Sequence, residues 1–361
     1  MTTIAASHVL WPDGSLAPGV VEVEGGRIVA VGRPTGEVPD RILAPGFVDL
    51  QVNGHGDVDV ATADGADWDR LDRTLLAQGV TTWLPTLITD EPARRDAAAA
   101  RVELARCRPG ARPDLAGLHL EGPFLTRAGA HDPAALATPT AEALDALPPA
   151  AALVTLAPDV AGAVDAIQAL RSRGVRVALG HSDATIEDAR AAVAAGATLV
   201  THVFNAMSPL HHRAPGLAGF ALADDRVAVS VIADLAHVHP TVLRIVARCK
   251  PPGGLVLVTD AVAWGAGALG DREVRLVDGV PRLEDGTLAG SALTMDAAVR
   301  NLVDAGASDL ASALYAASTA PARALGLDDR GTITVGARAD LVALDHGVRV
   351  EAVWVGGEQA L

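Results

Sequence analysis

Residues 115–131 read LAGLHLEGPFLTRAGAH. An apolar run of strand character ends on a carboxylate, Glu121. A Gly-Pro break follows at once, and His131 closes the stretch. A strand that stops on a charged group and then turns sharply aims that group at something. Seven further β-rich runs surround it: GFVDLQV (46–52), VTTWLPTL (80–87), AALVTLAP (151–158), VRVALGH (175–181), ATLVTHVF (197–204), VAVSVIAD (227–234) and GLVLVTDA (254–261). Between the runs lie helical stretches such as GADWDRLDRTLLAQG (65–79) and TIEDARAAVAAG (185–196), each closing on a glycine suited to a helix C-terminus. Eight strand–helix units in succession predict an α/β fold of the (β/α)8, TIM-type barrel class. An open doubly wound sheet is the runner-up; no G-x-G-x-x-G follows the first strand to favour it.

The chain ends read differently. Residues 1–44 form short strands, with VVEVEGGRIVAVG (20–32) as a hairpin turning at EGG. Beyond the eighth run, WGAGALGDREVRLVDGVPRLEDGTLAGSALTM (264–295) looks like a hairpin insertion, followed by helices through LYAASTAPARALGL (314–327). The tail returns to strands and glycine turns. Residues 1–44 and 336–361 are therefore expected to meet in a small β-sandwich beside a barrel of residues 45–335.

Bulk properties narrow the function. The 361-residue chain has a formal net charge of −15, which disfavours nucleic acid and anionic membranes as partners. An anionic small substrate would need local cations. The start MTTIAASHVLWPDGS lacks the basic and apolar segments of a signal peptide. Cys107 and Cys249 stand far apart with no C-x-x-C, so they read as reduced thiols of a soluble, cytoplasmic protein.

Barrel chemistry lies at the C-terminal ends of the strands. Those positions hold Gln51, Asn53, Thr86, Glu121, Asp159, His181, His202, Asp234 and Asp260. Glu121, His181 and His202 supply two imidazoles and one carboxylate, a set that suits Zn²⁺ or a similar divalent ion with an open position for water. His119 shares the face of Glu121 by strand alternation but lies a layer deeper, where it reads as a supporting residue. Asp260, with an ordinary carboxylate pKa near 3.9, would be ionised at neutral pH and able to take a proton from an activated water.

In order, the chain carries APGFVDLQVNG, LHLEGPF, GAHDP, LGHSDAT, THVFNAM, HRAPGLAG, VTDA, GTLAGSALTM and GARADLVALD. The set resembles the N-acetylglucosamine-6-phosphate deacetylases of the amidohydrolase superfamily, from about residue 44 to 346. PGFVD and ADLVALD mark only the superfamily, whereas HLEGPF with THVFNAM is specific to the deacetylases. The resemblance implies one divalent ion per subunit, Zn²⁺ foremost with Fe²⁺, Co²⁺ or Mn²⁺ able to use the same ligands, on Glu121, His181 and His202. It implies Asp260 as general base and acid, with His131 on the acetyl carbonyl. It further implies a substrate site drawn from Ala130, His131, Asn205, Ala206, Arg213, Asp234, His237, Leu288, Ala289 and Gly290. The implied substrate is a phosphorylated N-acetyl amino sugar. The implied assembly is a homodimer in which Arg213 and His237 reach the neighbouring site.

Departures from the family pattern are visible. Gln51 and Asn53 replace H-x-H on the first strand, which predicts one tight metal and no second. Asp159 stands where Glu is usual, His239 where Asp is usual, and the loop from Glu121 to His131 is short and lacks its usual Lys. The chain's one lysine, Lys250, lies after a helix, badly placed to bridge two metals as a carboxylated lysine. A different N-acetylated sugar phosphate, such as the galactosamine epimer, or another N-acyl compound remains an alternative substrate. A non-catalytic scaffold is disfavoured by the intact ligand set.

Overall fold

The structure, a computed structural model, describes residues 1–269 and 272–361; Gly270 and Asp271, inside the expected insertion, lie outside the described residues. Four strands come first: β1 (Thr2–Leu10), β2 (Leu16–Glu24), β3 (Arg27–Gly32) and β4 (Ile42–Pro45). The barrel strands follow as β5 (Phe47–Val52), β6 (Val80–Ile88), β7 (Leu118–Glu121), β8 (Ala151–Leu156), β9 (Arg176–Leu179), β10 (Leu199–Val200), β11 (Ala228–Ile232) and β12 (Leu255–Val258).

Neighbouring barrel strands pair in parallel and in chain order from β5 to β12. The ring is completed by backbone bonds from Asp260 N to the Gln51 carbonyl (2.9 Å) and from Asn53 N to the Ala261 carbonyl (2.8 Å). All eight expected strands are present. Strands covered on both faces read as unbroken apolar runs, and β5, with every residue buried, obeys this rule. The helix Ile186–Ala195 shows why its sequence is helical. Thr185 and Asp188 form a reciprocal capping box, and Gly196 ends the helix at φ 119°, where a Cβ would be strained. The mouth of the ring is thereby fixed by a sheet whose backbone bonds are satisfied internally.

An insertion hairpin, β13 (Arg272–Val277) with β14 (Val280–Leu283), lies after β12 as expected. Strands β15 (Leu341–Leu344) and β16 (Val350–Val355) come from the tail. Both chain ends join in one seven-stranded sheet that places β15 against β4 and β4 against β1. This sheet has its own core, including Ile4, Val21, Ile28, Leu43, Leu341 and Trp354, separate from the barrel core around Phe47, Trp83 and Leu120. Cys107 and Cys249 are free thiols. Among the described residues no helix is long and apolar enough to cross a membrane.

Candidate active site

Three of the strand-end residues adopt a left-handed backbone: His181 at φ 51°, His202 at φ 29° and Asp260 at φ 49°. Side chains with a Cβ are uncommon there, and such strain concentrates where side chains must be aimed. The result is convergence. Glu121 Oε1 lies 3.0 Å from His181 Nε2 and 2.9 Å from His202 Nε2, and the two Nε2 atoms are 3.3 Å apart. A tetrahedral zinc ion with bonds of about 2.0–2.1 Å has ligand–ligand edges of about 3.3 Å. The three atoms are therefore spaced as ligands of one small cation.

Proton positions support that set. His181 Nδ1 lies 2.9 Å from the Arg127 carbonyl, which can only accept, so Nδ1 carries the proton and Nε2 keeps its lone pair. Among the described residues His202 Nδ1 is buried without a partner, leaving Nε2 as the nitrogen that engages the site. His131 is also close, with Nε2 3.6 Å from Glu121 Oε2, and Glu121, His131 and His181 alone could enclose an ion. Its tautomer speaks against a ligand role. The Thr89 backbone N–H donates to His131 Nδ1 at 3.2 Å, so Nδ1 accepts and the ring proton sits on Nε2. His131 thus presents a donor to the cavity. Burial lowers its basicity, only partly offset by Glu121. Burial alone would raise Glu121, but the imidazoles of His131, His181 and His202 packed against it outweigh that and hold the carboxyl well below its usual range.

His119 uses both nitrogens elsewhere. Nδ1 donates to the Leu50 carbonyl (3.0 Å), and Nε2 accepts from Thr155 Oγ1 (2.8 Å), which in turn is bonded to Thr201 Oγ1 (2.8 Å). Burial pushes its pKa down to about 4, so it is a neutral structural imidazole.

Asp260 faces the same cavity from the end of β12. Asn53 Nδ2 donates to its Oδ1 at 2.9 Å, which leaves Oδ2 as the oxygen open to a proton. Burial first, and then the charge of Glu121, push Asp260 up to about 8. The ordinary acidity expected from sequence is corrected here: a carboxylate sealed at the barrel mouth beside another carboxylate resists ionisation. A dication held by the opposite ligands acts in the reverse sense and favours the carboxylate form. Behind Asp260, buried Asp49 accepts from Thr259 Oγ1 (2.6 Å), Thr259 N (3.3 Å) and Gln51 N (3.2 Å). Burial raises Asp49 to about 7.

The cavity holding these groups measures about 400 Å³ and is lined by Ala130, His131, Asn205, Ala206, His237, Leu288 and Gly290 beside the convergent residues. Seven of the ten expected substrate residues therefore stand in its wall. Ala289 is buried behind it. Asp234 is not in the wall; its Oδ2 accepts from His237 Nδ1 at 2.7 Å and so orients that imidazole. His237 lines the cavity of its own chain. The cause is local: Asp234 at the end of β11 accepts from His237 N (2.8 Å) and Nδ1, folding the segment back over the same mouth. Arg213 lies outside this wall, exposed, with its guanidinium 2.9 Å from His212 Nε2.

The departures from pattern find plain places. Asp159 accepts from Thr126 Oγ1 (2.9 Å) and Ser182 Oγ (2.8 Å), tying the loop after β7 to the residue beside His181. His239 accepts from Thr241 N as the cap of a helix. Lys250 Nζ donates to the carbonyls of Ala221 and Asp224, away from the mouth. Among the described residues Gln51 Nε2 and Asn53 Oδ1 are buried without partners.

Two site residues escaped the sequence reading. Thr86 looked like the functional residue at the end of the second barrel strand, yet it accepts from Val52 N within the sheet (3.0 Å). Strand β6 runs on to Ile88, so the residue that touches the site is Thr89. Arg127 also lines the cavity, paired with Asp183 at 2.9 Å. It is a cation in the very loop that lacks the usual Lys, and that charge was the available signal.

Comparisons with known proteins agree with this geometry. The amidohydrolase family model matches residues 42–360. The human N-acetylglucosamine-6-phosphate deacetylase is 43% identical over 343 residues, covering 88% of this chain and 83% of that protein. An N-acetylgalactosamine-6-phosphate deacetylase from Escherichia coli O157:H7 is 37% identical, covering 99% and 98%. Among solved structures, the N-acetylglucosamine-6-phosphate deacetylase of Thermotoga maritima superposes with a TM-score of 0.93 at 32% identity, covering 100% of this chain and 99% of that one. A mutant of the Mycobacterium smegmatis enzyme in complex with N-acetyl-D-glucosamine-6-phosphate gives 0.91 at 36%, covering 99% and 98%. The chain belongs to the amidohydrolase family and, within it, to the N-acetylglucosamine-6-phosphate deacetylases.

Proposed function

We infer that this chain hydrolyses the acetamide of N-acetyl-D-glucosamine 6-phosphate to D-glucosamine 6-phosphate and acetate, a cytoplasmic reaction of amino-sugar metabolism. The observation that carries the reading is the convergence of Glu121, His181 and His202 opposite Asp260 in one cavity. Glu121, His181 and His202 would hold one divalent ion, Zn²⁺ by preference. When bound, such an ion supplies Lewis acidity and makes a water acidic enough to attack at neutral pH.

The chain's own groups carry the rest. Asp260 accepts a proton from the attacking water at Oδ2, while Asn53 holds Oδ1. A C–O bond forms at the acyl carbon as the C–N bond breaks, and Asp260 returns the proton to the departing amine. His131 donates from Nε2 to the acyl oxygen as negative charge develops on it, the term that contributes most in such chemistry. Thr89 keeps that proton in place through the hydrogen bond to Nδ1. One carboxyl acting as base and then acid removes the need for a second.

The sugar phosphate is held by Asn205 and the backbone at Ala206, by His237 oriented by Asp234, and by Arg213 reaching in from the second subunit of a homodimer. Arg213 makes no carboxylate pair among the described residues, so its fork of donors is available to a phosphate. The test compares acetate release from N-acetylglucosamine 6-phosphate, its galactosamine epimer and unphosphorylated N-acetylglucosamine by Zn²⁺-loaded protein. Efficient turnover confined to the phosphorylated glucosamine form is expected; equal turnover of the unphosphorylated sugar overturns the phosphate site.

A further inference from the structure

Among the described residues a second cluster of metal-capable side chains lies where the two chain ends meet. His8 comes from β1, Asp40 from the lead-in to β4, and His346 from the turn between β15 and β16. One nitrogen of each imidazole and one Asp40 oxygen all lie within 4.8 Å of one another. His346 Nε2 is 2.9 Å from Asp40 Oδ1, and the two rings stand at 90° with centroids 5.3 Å apart. We propose that His8, Asp40 and His346 form a second divalent transition-metal site that staples the N-terminal and C-terminal strands of the small sheet.

Sequence and backbone both build this arrangement. The pairing of β1 with β2 shifts register between Ala6 and Val9, so Ser7 and His8 sit in an irregularity. Such bulges re-aim side chains that strand alternation would point elsewhere. His8 pairs with Ile42, and Ile42 pairs with Leu344, so sheet register brings residues 8, 40 and 346 to the same end of three adjacent strands. The Ser7 hydroxyl touches both His8 Nδ1 and Asp40 Oδ1 at 2.9 Å and keeps ring and carboxylate together. Asp40 is held ionised by hydrogen bonds from His346 and Ser7.

The donor set selects the ion. Two imidazoles and a carboxylate suit Zn²⁺, Ni²⁺ or Cu²⁺, while Mg²⁺ and Ca²⁺ prefer oxygen cages. Asp40 and His346 are open to solvent at 78% and 52% of their side-chain surface, so the ion keeps waters and exchanges. The unfolded chain separates residues 8 and 346, and an ion that binds only the folded form stabilises it in proportion to its concentration.

The test uses full-length protein already carrying its catalytic metal. Ni²⁺ binding is followed by calorimetry and metal analysis, and thermal unfolding is recorded with and without the ion. Wild type is expected to bind one more equivalent than His346→Ala or His8→Gln. Its Tm should rise with Ni²⁺ by several degrees more than that of either variant, while acetate release is unchanged in all three. A His211→Ala/His212→Ala variant should keep the extra equivalent, since those adjacent exposed imidazoles stand outside the cluster. Equal stoichiometry in wild type and His346→Ala, or loss of the extra equivalent only when His211 and His212 are removed, overturns the proposal.

Discussion

On one side of the barrel mouth, β7, β9 and β10 end in Glu121, His181 and His202; on the other, β5 and β12 bring Asp49, Asn53 and Asp260 together. Both sides bury carboxylates, yet they treat protons in opposite ways. Glu121 is surrounded by imidazoles and held well below the usual range, so it stays an anion ready for a cation. Asp260 has one amide donor and a like charge across the cavity, and it is pushed to about 8. One residue class thus provides a fixed negative ligand on one side and a proton carrier on the other. Environment alone separates the roles.

Breaking the anionic side should have the largest effect. Glu121→Gln removes the charge that neutralises the ion and leaves two imidazoles facing an amide. Metal content measured after dialysis should fall from one equivalent towards none, with acetate release lost alongside. Retention of a full equivalent would move the ligand set to His131.

His131 bridges the two sides, and its loss should be smaller. His131→Asn should lower kcat by about two to three powers of ten, the usual range for one oxyanion donor, with metal content unchanged. If metal were lost as well, His131 would be a ligand and not a donor. Thr89→Val keeps the backbone N–H, so it should leave the ring proton on Nε2, read from the ¹⁵N shifts of His131.

The cavity rim ranks next. His237→Ala should raise KM for the phosphorylated sugar by about tenfold or more with a modest change in kcat, the pattern of lost uniform binding. Arg127→Ala in the same assay would sharpen the assignment. A comparable rise in KM would make the loop arginine a substrate contact, and none would leave it as the partner of Asp183.

A separate readout, stability against pH, belongs to Asp49, deep in the proton-holding side. Its folded pKa of about 7 lies above the unfolded value near 3.9. Between those values the native state keeps a proton that the unfolded chain has released. That contribution to stability is full below about pH 4 and is lost as pH rises through 7. Denaturant unfolding of wild type should therefore fall more steeply across this window than that of Asp49→Asn, by at most about 1.4 kcal/mol per pH unit. Parallel pH profiles would show that Asp49 is ionised in the fold.

The eight strands and most of the site were legible because apolar runs buried on both faces announce parallel strands, and their last polar residues announce the mouth. Loop geometry was less legible. Thr89 was hidden because β6 extends one residue further than its apolar pattern indicates, and its contact runs through a backbone N–H that sequence does not display. Asp260 faces the cavity, but its acidity was not legible, since burial and the charge of Glu121 are properties of the folded ring. The orientation of His237 was not legible, since its bond to Asp234, three residues away, is set by the folded turn.

The most direct test of the central claim joins activity to metal content in Asp260→Asn. Asparagine keeps the shape and the Asn53 contact on one side but can no longer carry the proton. The account predicts a full equivalent of metal in this variant and a fall of about a thousandfold or more in acetate release from N-acetylglucosamine 6-phosphate. Near-normal turnover by the metal-loaded variant would contradict it, because the proton would then travel by another group.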